Sequence, residues 1–231
     1  MNLERYLERR CKLVDQTLKQ LLTDHDAAPP TLNKAMRYSL FSGGKRIRPI
    51  LALATGEAVG ARLTRILPFA CALEMIHSYS LVHDDLPAMD DDDLRRGKPT
   101  NHKVFGEAMA ILAGDGLLTE AFRIMAQGAL RRGQNQTAAL QAIWEVAAGA
   151  GMAGMVGGQV ADIEAERKKP TRKIVEYIHT RKTGALLRAS VRVGARVGGA
   201  TLRQFAQLDT YGTAVGLAFQ VTDDILDIEG G

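Results

Sequence analysis

The feature that most constrains this chain is a dense run of carboxylates, because six of the ten residues from 84 to 93 are aspartates. The run follows a long apolar segment, and a second set, Asp223, Asp224 and Asp227, follows mostly apolar residues near the C-terminus. Carboxylates at this density repel one another unless a cation lies among them. Mg²⁺ is often bound by one or two carboxylates together with substrate phosphates. We therefore expect a fold in which two aspartate sets, each at the end of a helix-like run, face a magnesium–diphosphate group.

Helical patterns dominate the chain, and the alternating β-branched runs that are typical of strands are absent. Apolar residues recur at helical spacing over residues 3–21, and Pro29–Pro30 ends that element. Later helices are predicted from Thr31 to about Gly43, from Pro49, over 64–85, 114–130, 137–165, 171–180 and 183–197, and from the capping box at Thr201. The glycines between 149 and 158 indicate close helix approach or a helix break. We predict an all-α fold with residues 1–231 as one domain.

Bulk composition narrows the function classes. The chain has 231 residues and a net charge of +4, so basic residues are plentiful outside the aspartate run. Short basic groups at 45–48, 95–96 and 181–182 suit phosphate ligands, although a solvated basic surface is the plainer explanation. The acidic run would repel nucleic acid. Two cysteines form no disulfide framework, and neither a signal peptide nor an apolar run long enough for a membrane span is evident, so we expect a cytoplasmic protein without membrane insertion.

The spacing of the carboxylates suggests how each set is arranged. Asp223 and Asp227 share one helix face, whereas Asp84 and Asp90 are six residues apart and do not. Pro87 discourages helix just before it, so we expect the helix to end near Asp85 and a turn to return Asp90 to the same cation. Solvated acidic helix ends are the alternative.

Cationic side chains that suit a diphosphate stand near these sets. Lys45 and Arg48 are three residues apart after two glycines, and His77 lies two helical turns before Asp84. Lys182 and Thr183 offer an ammonium and a hydroxyl between two predicted helices. Taken singly, each has an ordinary structural explanation, such as a core histidine for His77.

Six motifs, in order along nearly the whole chain, resemble those of trans-isoprenyl diphosphate synthases of the farnesyl/geranylgeranyl type. They are Gly43–Pro49, Asp84–Gly97, Phe105–Asp115, Gly158–Asp162, Lys182–Gly184 and Phe219–Asp227. Each motif is weak alone, and six in sequence are specific. The two-residue expansion between Asp85 and Asp90 resembles the bacterial farnesyl type.

The resemblance implies an isoprenoid synthase-type helical bundle around a deep central cavity, and a homodimer. It implies head-to-tail condensation of isopentenyl diphosphate with dimethylallyl or geranyl diphosphate to farnesyl diphosphate. The implied cofactor is three Mg²⁺ ions, with Mn²⁺ as an alternative, held by Asp84, Asp85, Asp90, Asp223 and Asp227. Arg95, Lys182, Thr183 and Gln220 would bind the allylic diphosphate, and Lys45, Arg48, His77 and Arg96 would bind isopentenyl diphosphate. The implied catalytic set is Asp84, Asp85, Asp90, Arg95, Lys182 and Asp223.

Two positions bear on product length. Tyr79 and Ser80 lie five and four residues before Asp84, about one helical turn below it. An aromatic ring there would close the floor of the cavity, so the hypothesis is that Tyr79 stops chain growth at farnesyl diphosphate. Simple core filling by Tyr79 is the alternative.

Several other classes stay open on sequence alone. Terpene cyclases share the aspartate chemistry but do not need a second diphosphate site built from Lys45, Arg48 and Arg96. His83–Asp84 is similar to the pair in metal-dependent HD phosphohydrolases, which need further histidine ligands. A geranylgeranyl diphosphate synthase and a non-catalytic partner subunit also remain. Family members continue well past the second motif, so we expect a chain ending at Gly231 to be C-terminally incomplete.

Overall fold

The structure, a computed structural model, describes residues 2–22, 28–165, 169 and 171–229, apart from the side chains of 223, 224 and 226–229. Nearly all of this part is helical, which confirms the all-α prediction. The helices are α1 Leu3–Leu21, α2 Pro30–Leu40, α3 Ile47–Ala58, α4 Leu63–Asp84, α5 Asn101–Phe105, α6 Glu107–Ala129, α7 Gln136–Ala150, α8 Met155–Ala165, α9 Arg172–Ile178, a π-helix His179–Gly184, α10 Ala185–Gly198 and α11 Leu202–Glu229.

The chain forms two compact units. The first comprises Met1–Ile50 and Leu67–Gly128, and the second comprises Leu51–Ile66 and Ala129–Gly231. The grouping of all 231 residues into one domain stays a prediction.

Helix α4 supplies much of the apolar core of the first unit. From Phe69 to Ile76 every residue of α4 is buried, so this stretch presents no solvent-facing side. Pro68 lies within the first two turns of α4, close to its start as the sequence predicted. The helix ends at Asp84, so its apolar length delivers the aspartate run to the edge of the core.

The observed helix starts show which local sequence signals set where each helix begins. Helix α2 begins at Pro30 instead of after Thr31, because proline favours the first helical position, so the Thr31 cap was wrong. Pro49 lies in the first turn of α3 as predicted. Helix α6 begins at Glu107, seven residues before the predicted start at Gly114, because Gly106 (φ +85°) ends α5 and the apolar residues after it are already helical.

A short β-hairpin interrupts the helices in the first unit. Strands β1 Leu94–Arg95 and β2 Lys98–Pro99 pair antiparallel across a two-residue turn. Arg96 and Gly97 have φ of +54° and +74°, the left-handed values that a tight hairpin turn of this kind requires. Strands of two residues carry no alternation, so the sequence did not predict them.

In the second unit the glycine-rich stretch breaks one predicted helix into α7 and α8. The residues between these helices form a bend and a turn. By length and composition alone, residues 136–165 could cross a membrane, a test that core helices also pass. Gly149 lies so close to α10 that a Cβ there would be 2.9 Å from the Ala189 methyl. The glycines therefore serve both predicted purposes, helix break and close approach.

Helix α11 starts with the predicted capping box. The Gln204 backbone N–H donates to Thr201 Oγ1 (3.3 Å), and the Thr201 N–H donates to Gln204 Oε1 (2.9 Å). Thr201 and Gln204 thereby satisfy N–H groups that the helix itself leaves unpaired. This cap fixes the start of the long helix that carries the second aspartate set.

Candidate active site

The first aspartate run folds back on itself directly after α4. The Asp90 N–H donates to the Asp84 carbonyl at 2.9 Å, and the Asp91 N–H donates to the Leu86 carbonyl at 3.1 Å. Asp91 has a φ of +50°, a left-handed conformation that aspartate tolerates better than most residues. The turn brings the backbones of Asp84 and Asp90 together although they are six residues apart.

The donor set in this turn fits a hard divalent cation. Asp84 is half-buried at the helix end, and Asp90 is exposed beside it. Among the side chains that the structure describes, no three acidic, histidine or cysteine groups converge into a complete metal centre. Mg²⁺ often needs only one or two carboxylates and completes its octahedron with water and substrate phosphate. The residues present therefore suit an ion that is shared with a phosphate ligand.

Asp85 is placed differently from Asp84 and Asp90. Its buried carboxylate accepts two hydrogen bonds from Arg95, at 2.8 Å from Nε and 2.5 Å from Nη2. Arg95 Nη2 also donates to Asp92 at 2.8 Å. Burial raises the pKa of Asp85, although the hydrogen bonds from Arg95 oppose that shift. Asp85 thus contacts the guanidinium of Arg95, which it holds beside the aspartate turn.

A glycine loop carries the basic residues that precede α3. Gly43 and Gly44 have φ of +107° and +122°, which other residues rarely adopt. Arg96 Nη1 donates to the Gly43 carbonyl, and a Cβ on Gly44 would lie 2.5–2.9 Å from the Arg96 guanidinium. A side chain at position 44 would therefore displace the Arg96 guanidinium from its present place against the loop.

His77 shares this region with several arginines. Burial, followed by the positive charges of Arg48 and Arg96, holds the pKa of His77 well below its usual range. The imidazole is therefore neutral at physiological pH, with one nitrogen as a donor and one as an acceptor. The structure places Arg48 and Arg96 within electrostatic reach of His77. Lys45, which is exposed, lies in the glycine loop itself.

The two product-length candidates lie between His77 and Asp84 on α4. Tyr79 is 7% exposed, and its ring meets the His83 ring edge to face with centroids 5.7 Å apart. Burial, and then the nearby charge of Asp84, raises the pKa of the Tyr79 phenol. Ser80 donates to the His77 carbonyl at 2.9 Å. Tyr79 is thus a buried ring within the electrostatic reach of Asp84.

In the second unit Lys182 and Thr183 lie in the π-helix. Such one-turn π-helices frequently occur at functional sites. Lys182 Nζ contacts Asp162 Oδ2 on α8 at 2.6 Å. A Cβ on Gly158 would lie 2.2 Å from the Lys182 backbone nitrogen, so α8 can approach the π-helix only through this glycine.

The second aspartate set is described in its backbone alone. Asp223 and Asp227 lie in α11 four residues apart, as the sequence predicted, and their side chains lie outside the described residues. Gln220, one turn earlier, is half-buried.

Sequence reasoning missed the partners of these residues. It grouped Arg46 with the phosphate-binding cations, yet Arg46 is buried and pairs with Glu74 at 2.8 Å. A signal was available, because Glu74 is a lone acid within an apolar helical run and a buried acid needs a cationic partner. It also gave no partner to Asp85, whose pairing with Arg95 depends on the hairpin.

Comparisons with known proteins agree with this arrangement. A family model described as polyprenyl synthetase matches residues 29–231. A farnesyl diphosphate synthase of Geobacillus stearothermophilus is 53% identical over 100% of this chain and 77% of its own length. A farnesyl diphosphate synthase of Bacillus subtilis is 48% identical over 97% of this chain and 75% of its own length.

Solved structures give the same result. An FPP/GFPP synthase from Zymomonas mobilis matches with a TM-score of 0.91 and 37% identity, over 98% of this chain and 82% of its own. A geranyltransferase from Legionella pneumophila matches with a TM-score of 0.92 and 37% identity, over 98% and 80%. With the aspartate turn, the glycine loop and the arginine–histidine group in place, these matches show that the chain belongs to the polyprenyl synthetase family.

Proposed function

We propose that this protein is a farnesyl diphosphate synthase, a prenyltransferase that condenses isopentenyl diphosphate with dimethylallyl or geranyl diphosphate. The observation that carries the proposal is the group of Arg48, His77 and Arg96 around the Gly43–Gly44 loop, in the same unit as the aspartate turn. A synthase must hold two diphosphates, whereas a terpene cyclase holds one. The relatives named as farnesyl diphosphate synthases support the choice of product.

Metal binding follows from the aspartate sets. We propose that Asp84, Asp90 and Asp223, assisted by Asp227, hold three Mg²⁺ ions, for which Mn²⁺ is an alternative. Magnesium bound there supplies positive charge that stabilises the departing diphosphate. Asp85, which the sequence also placed among the metal ligands and the catalytic set, accepts two hydrogen bonds from Arg95. We propose that its part in the reaction is to position this guanidinium toward the same turn.

The remaining residues bind and orient the two substrates. Arg95, Lys182, Thr183 and Gln220 bind the allylic diphosphate, and Lys45, Arg48, His77 and Arg96 bind isopentenyl diphosphate. The allylic carbon–oxygen bond breaks and releases diphosphate, and the isopentenyl double bond attacks the resulting allylic cation to form a carbon–carbon bond. The adduct then loses a proton to the released diphosphate, which leaves the new double bond. Arginine and lysine stabilise the diphosphate charge as it develops, and holding both substrates in line supplies much of the remaining rate.

Assembly and location are part of the proposal. Leu140 and Trp144, one turn apart on α7, are 67% and 63% exposed, which makes this face suitable for a homodimer contact. Cys11 and Cys71 are both free, which suits the reducing cytoplasm.

The test is product analysis with matched aspartate variants. Purified protein is incubated with Mg²⁺, isopentenyl diphosphate and dimethylallyl diphosphate, and the products are identified by mass spectrometry with an EDTA control. Asp84→Asn and Asp90→Asn should each lower kcat at least about 100-fold. Asp93→Asn is the control, because this aspartate is exposed and pairs with Lys103 at 2.6 Å.

Each other outcome has a definite meaning. Geranylgeranyl diphosphate as the main product would overturn the farnesyl assignment and make the protein a geranylgeranyl diphosphate synthase. Several relatives carry that name. Equal losses in all three aspartate variants would refute the specific roles of Asp84 and Asp90. Tight binding to a complete synthase without any product would favour a non-catalytic partner subunit.

A further inference from the structure

A buried charged network lies directly behind the glycine loop. Arg46 and Glu74 are 3% and 2% exposed. Arg46 Nη1 donates to Glu74 Oε1 at 2.8 Å, Nε donates to Asp15 Oδ1 at 2.9 Å, and Nη2 donates to the Leu40 carbonyl at 2.8 Å. All three guanidinium nitrogens of Arg46 therefore donate to groups within the protein.

The backbone of Arg46 controls where the neighbouring cations project. Arg46 has a φ of +52°, and with Gly43 and Gly44 it gives three left-handed or related conformations within four residues. A residue with a side chain persists in this region only where its surroundings hold it there. The Arg46 carbonyl accepts the N–H of Ile50 at 3.0 Å, the first hydrogen bond of α3. Arg46 therefore sets both the direction of Lys45 and the start of the helix that carries Arg48.

Glu74 connects this loop to the histidine of the site. It lies on α4 three residues before His77, so both side chains project from the same side of the helix. The hydrogen bond from Arg46 to Glu74 thereby fixes the loop that carries Lys45, and the start of α3 that carries Arg48, against the turn of α4 that presents His77.

Glu74 also balances charge in a crowded basic region. Burial lowers the pKa of Arg96 most, Arg46 and Arg95 lower it further, and Glu74 opposes them. Burial lowers the pKa of Arg46 as well, but Glu74 and then Asp15 raise it above its ordinary value. A single buried carboxylate therefore allows several arginines to converge before any anionic ligand arrives.

We propose that Arg46 and Glu74 are positioning residues for isopentenyl diphosphate, which they never touch. They hold Lys45, Arg48 and His77 in the geometry that one diphosphate group requires. The inference rests on the proposed function, because it names the second diphosphate site as the one being organised. Disruption of the Arg46–Glu74 pair should therefore weaken the binding of isopentenyl diphosphate and leave the binding of the allylic substrate unchanged.

The experiment compares Glu74→Gln with Glu120→Gln. Glu120 lies in the same unit and pairs with Arg123 on the surface of α6, so it controls for loss of an ion pair alone. Glu74→Gln should raise KM for isopentenyl diphosphate about tenfold or more, with kcat and KM for geranyl diphosphate within about twofold of the parent. Glu120→Gln should leave all three values unchanged.

Three further measurements keep the test decisive. If Glu74→Gln fails to fold, Asp15→Asn replaces it in the test. This change removes the outer, half-buried partner of Arg46 and should produce a smaller rise in KM for isopentenyl diphosphate. Calorimetric titration with isopentenyl diphosphate alone reports binding without turnover. Arg46→Lys, which retains the charge but only one donor group, should bind more tightly than Arg46→Met.

The outcomes separate this inference from the proposed function. If the parent chain is inactive but binds isopentenyl diphosphate, and Glu74→Gln weakens that binding, the proposed activity fails and the positioning role stands. Equal losses in both KM values and kcat, accompanied by a lower melting temperature, would make the pair merely structural and overturn the inference. A folded Glu74→Gln with parental kinetics, or a parent that binds no isopentenyl diphosphate, would overturn it too.

Discussion

At the scale of single residues, space and charge at the glycine loop decide what the site can hold. Gly44 leaves room for the guanidinium of Arg96, and Gly43 supplies the carbonyl that this guanidinium contacts. Both glycines have a positive φ, but only at Gly44 would a Cβ meet another side chain, that of Arg96. Substituting each in turn therefore separates backbone strain from displacement of Arg96.

Gly44→Ala should raise KM for isopentenyl diphosphate about tenfold or more, because the new methyl would occupy the position of the Arg96 guanidinium. Gly43→Ala is the matched control, since its φ is also positive but its Cβ would meet nothing within 4 Å. Steady-state kinetics with each diphosphate varied in turn measures the effect. Similar KM values for the two variants would contradict a specific role of Gly44.

Tyr79→Ala should shift the main product from farnesyl diphosphate toward longer chains, because it removes a buried ring one turn before Asp84. Product lengths are read by mass spectrometry after incubation with excess isopentenyl diphosphate. Tyr211→Ala, at an exposed tyrosine of α11, should leave the length distribution unchanged. An unaltered distribution for Tyr79→Ala would reduce this ring to core filling.

At the scale of elements, α10 is held to its neighbours by a ladder of arginines. Arg188 and Arg192 both donate to the two oxygens of Asp209 on α11, at 2.5–2.9 Å. Arg192 and Arg196 reach Glu145 on α7, which is buried. Because Arg192 bonds to both acids, loss of Asp209 leaves Arg188 without its acidic partner and leaves Arg192 with Glu145 alone.

Asp209→Asn should lower the free energy of unfolding by about 1–3 kcal/mol at pH 7, the usual range for loss of a charged hydrogen-bond partner. Hydrogen bonds from Arg192 and then Arg188 hold the pKa of Asp209 well below its ordinary value. Below about pH 4 the unfolded chain takes up a proton that the folded chain does not, so the stabilisation is present above that pH and lost as pH falls. The difference between parent and variant should therefore shrink in acid.

Urea unfolding at pH 7 and at successively lower pH values measures this difference. Glu176→Gln is the control, because its pair with Arg172 is exposed and such pairs contribute little. A difference between parent and Asp209→Asn that stays constant from pH 7 to pH 3 would show that the carboxylate charge is not what stabilises the contact between α10 and α11.

At the scale of the whole molecule, the proposed homodimer provides the clearest test. Trp144→Asp should convert the dimer to monomer, because it places a charge in the middle of an apolar face. Leu202→Asp, at a residue that is 87% exposed and begins α11, should leave the dimer intact. Sedimentation velocity at micromolar concentration distinguishes the two species. A monomeric parent would refute the dimer directly.

The sequence was sufficient for those features that follow from local periodicity and motif order. The all-α class, the end of α4, the first-turn position of Pro49 in α3 and the Thr201 cap all depend on residues within one or two turns. The start of α6 followed from a local signal, Gly106, that the sequence interpretation overlooked. The two-residue strands of the hairpin carry no alternation, and the π-helix depends on what packs against it, so local patterns did not reveal either. Asp85 shows the same limit within the site, since its partner Arg95 is set by the hairpin turn.

The regular geometry of helix α4 fixes the spacing of the site residues that it carries. Glu74, His77, Tyr79 and Asp84 all project from this one rod, in which each residue adds about 1.5 Å and 100°. The separation of His77 from Asp84 is thus fixed at about 10 Å, in nearly the same phase. Inserting one residue between them would rotate Asp84 away from the side of the helix that carries His77. Extra residues in the turn after Asp85 would leave the spacing of His77 and Asp84 unchanged. Differences in product length should therefore arise from the size of the side chains along α4. Differences in loop length should be confined to the turn that follows the end of this helix.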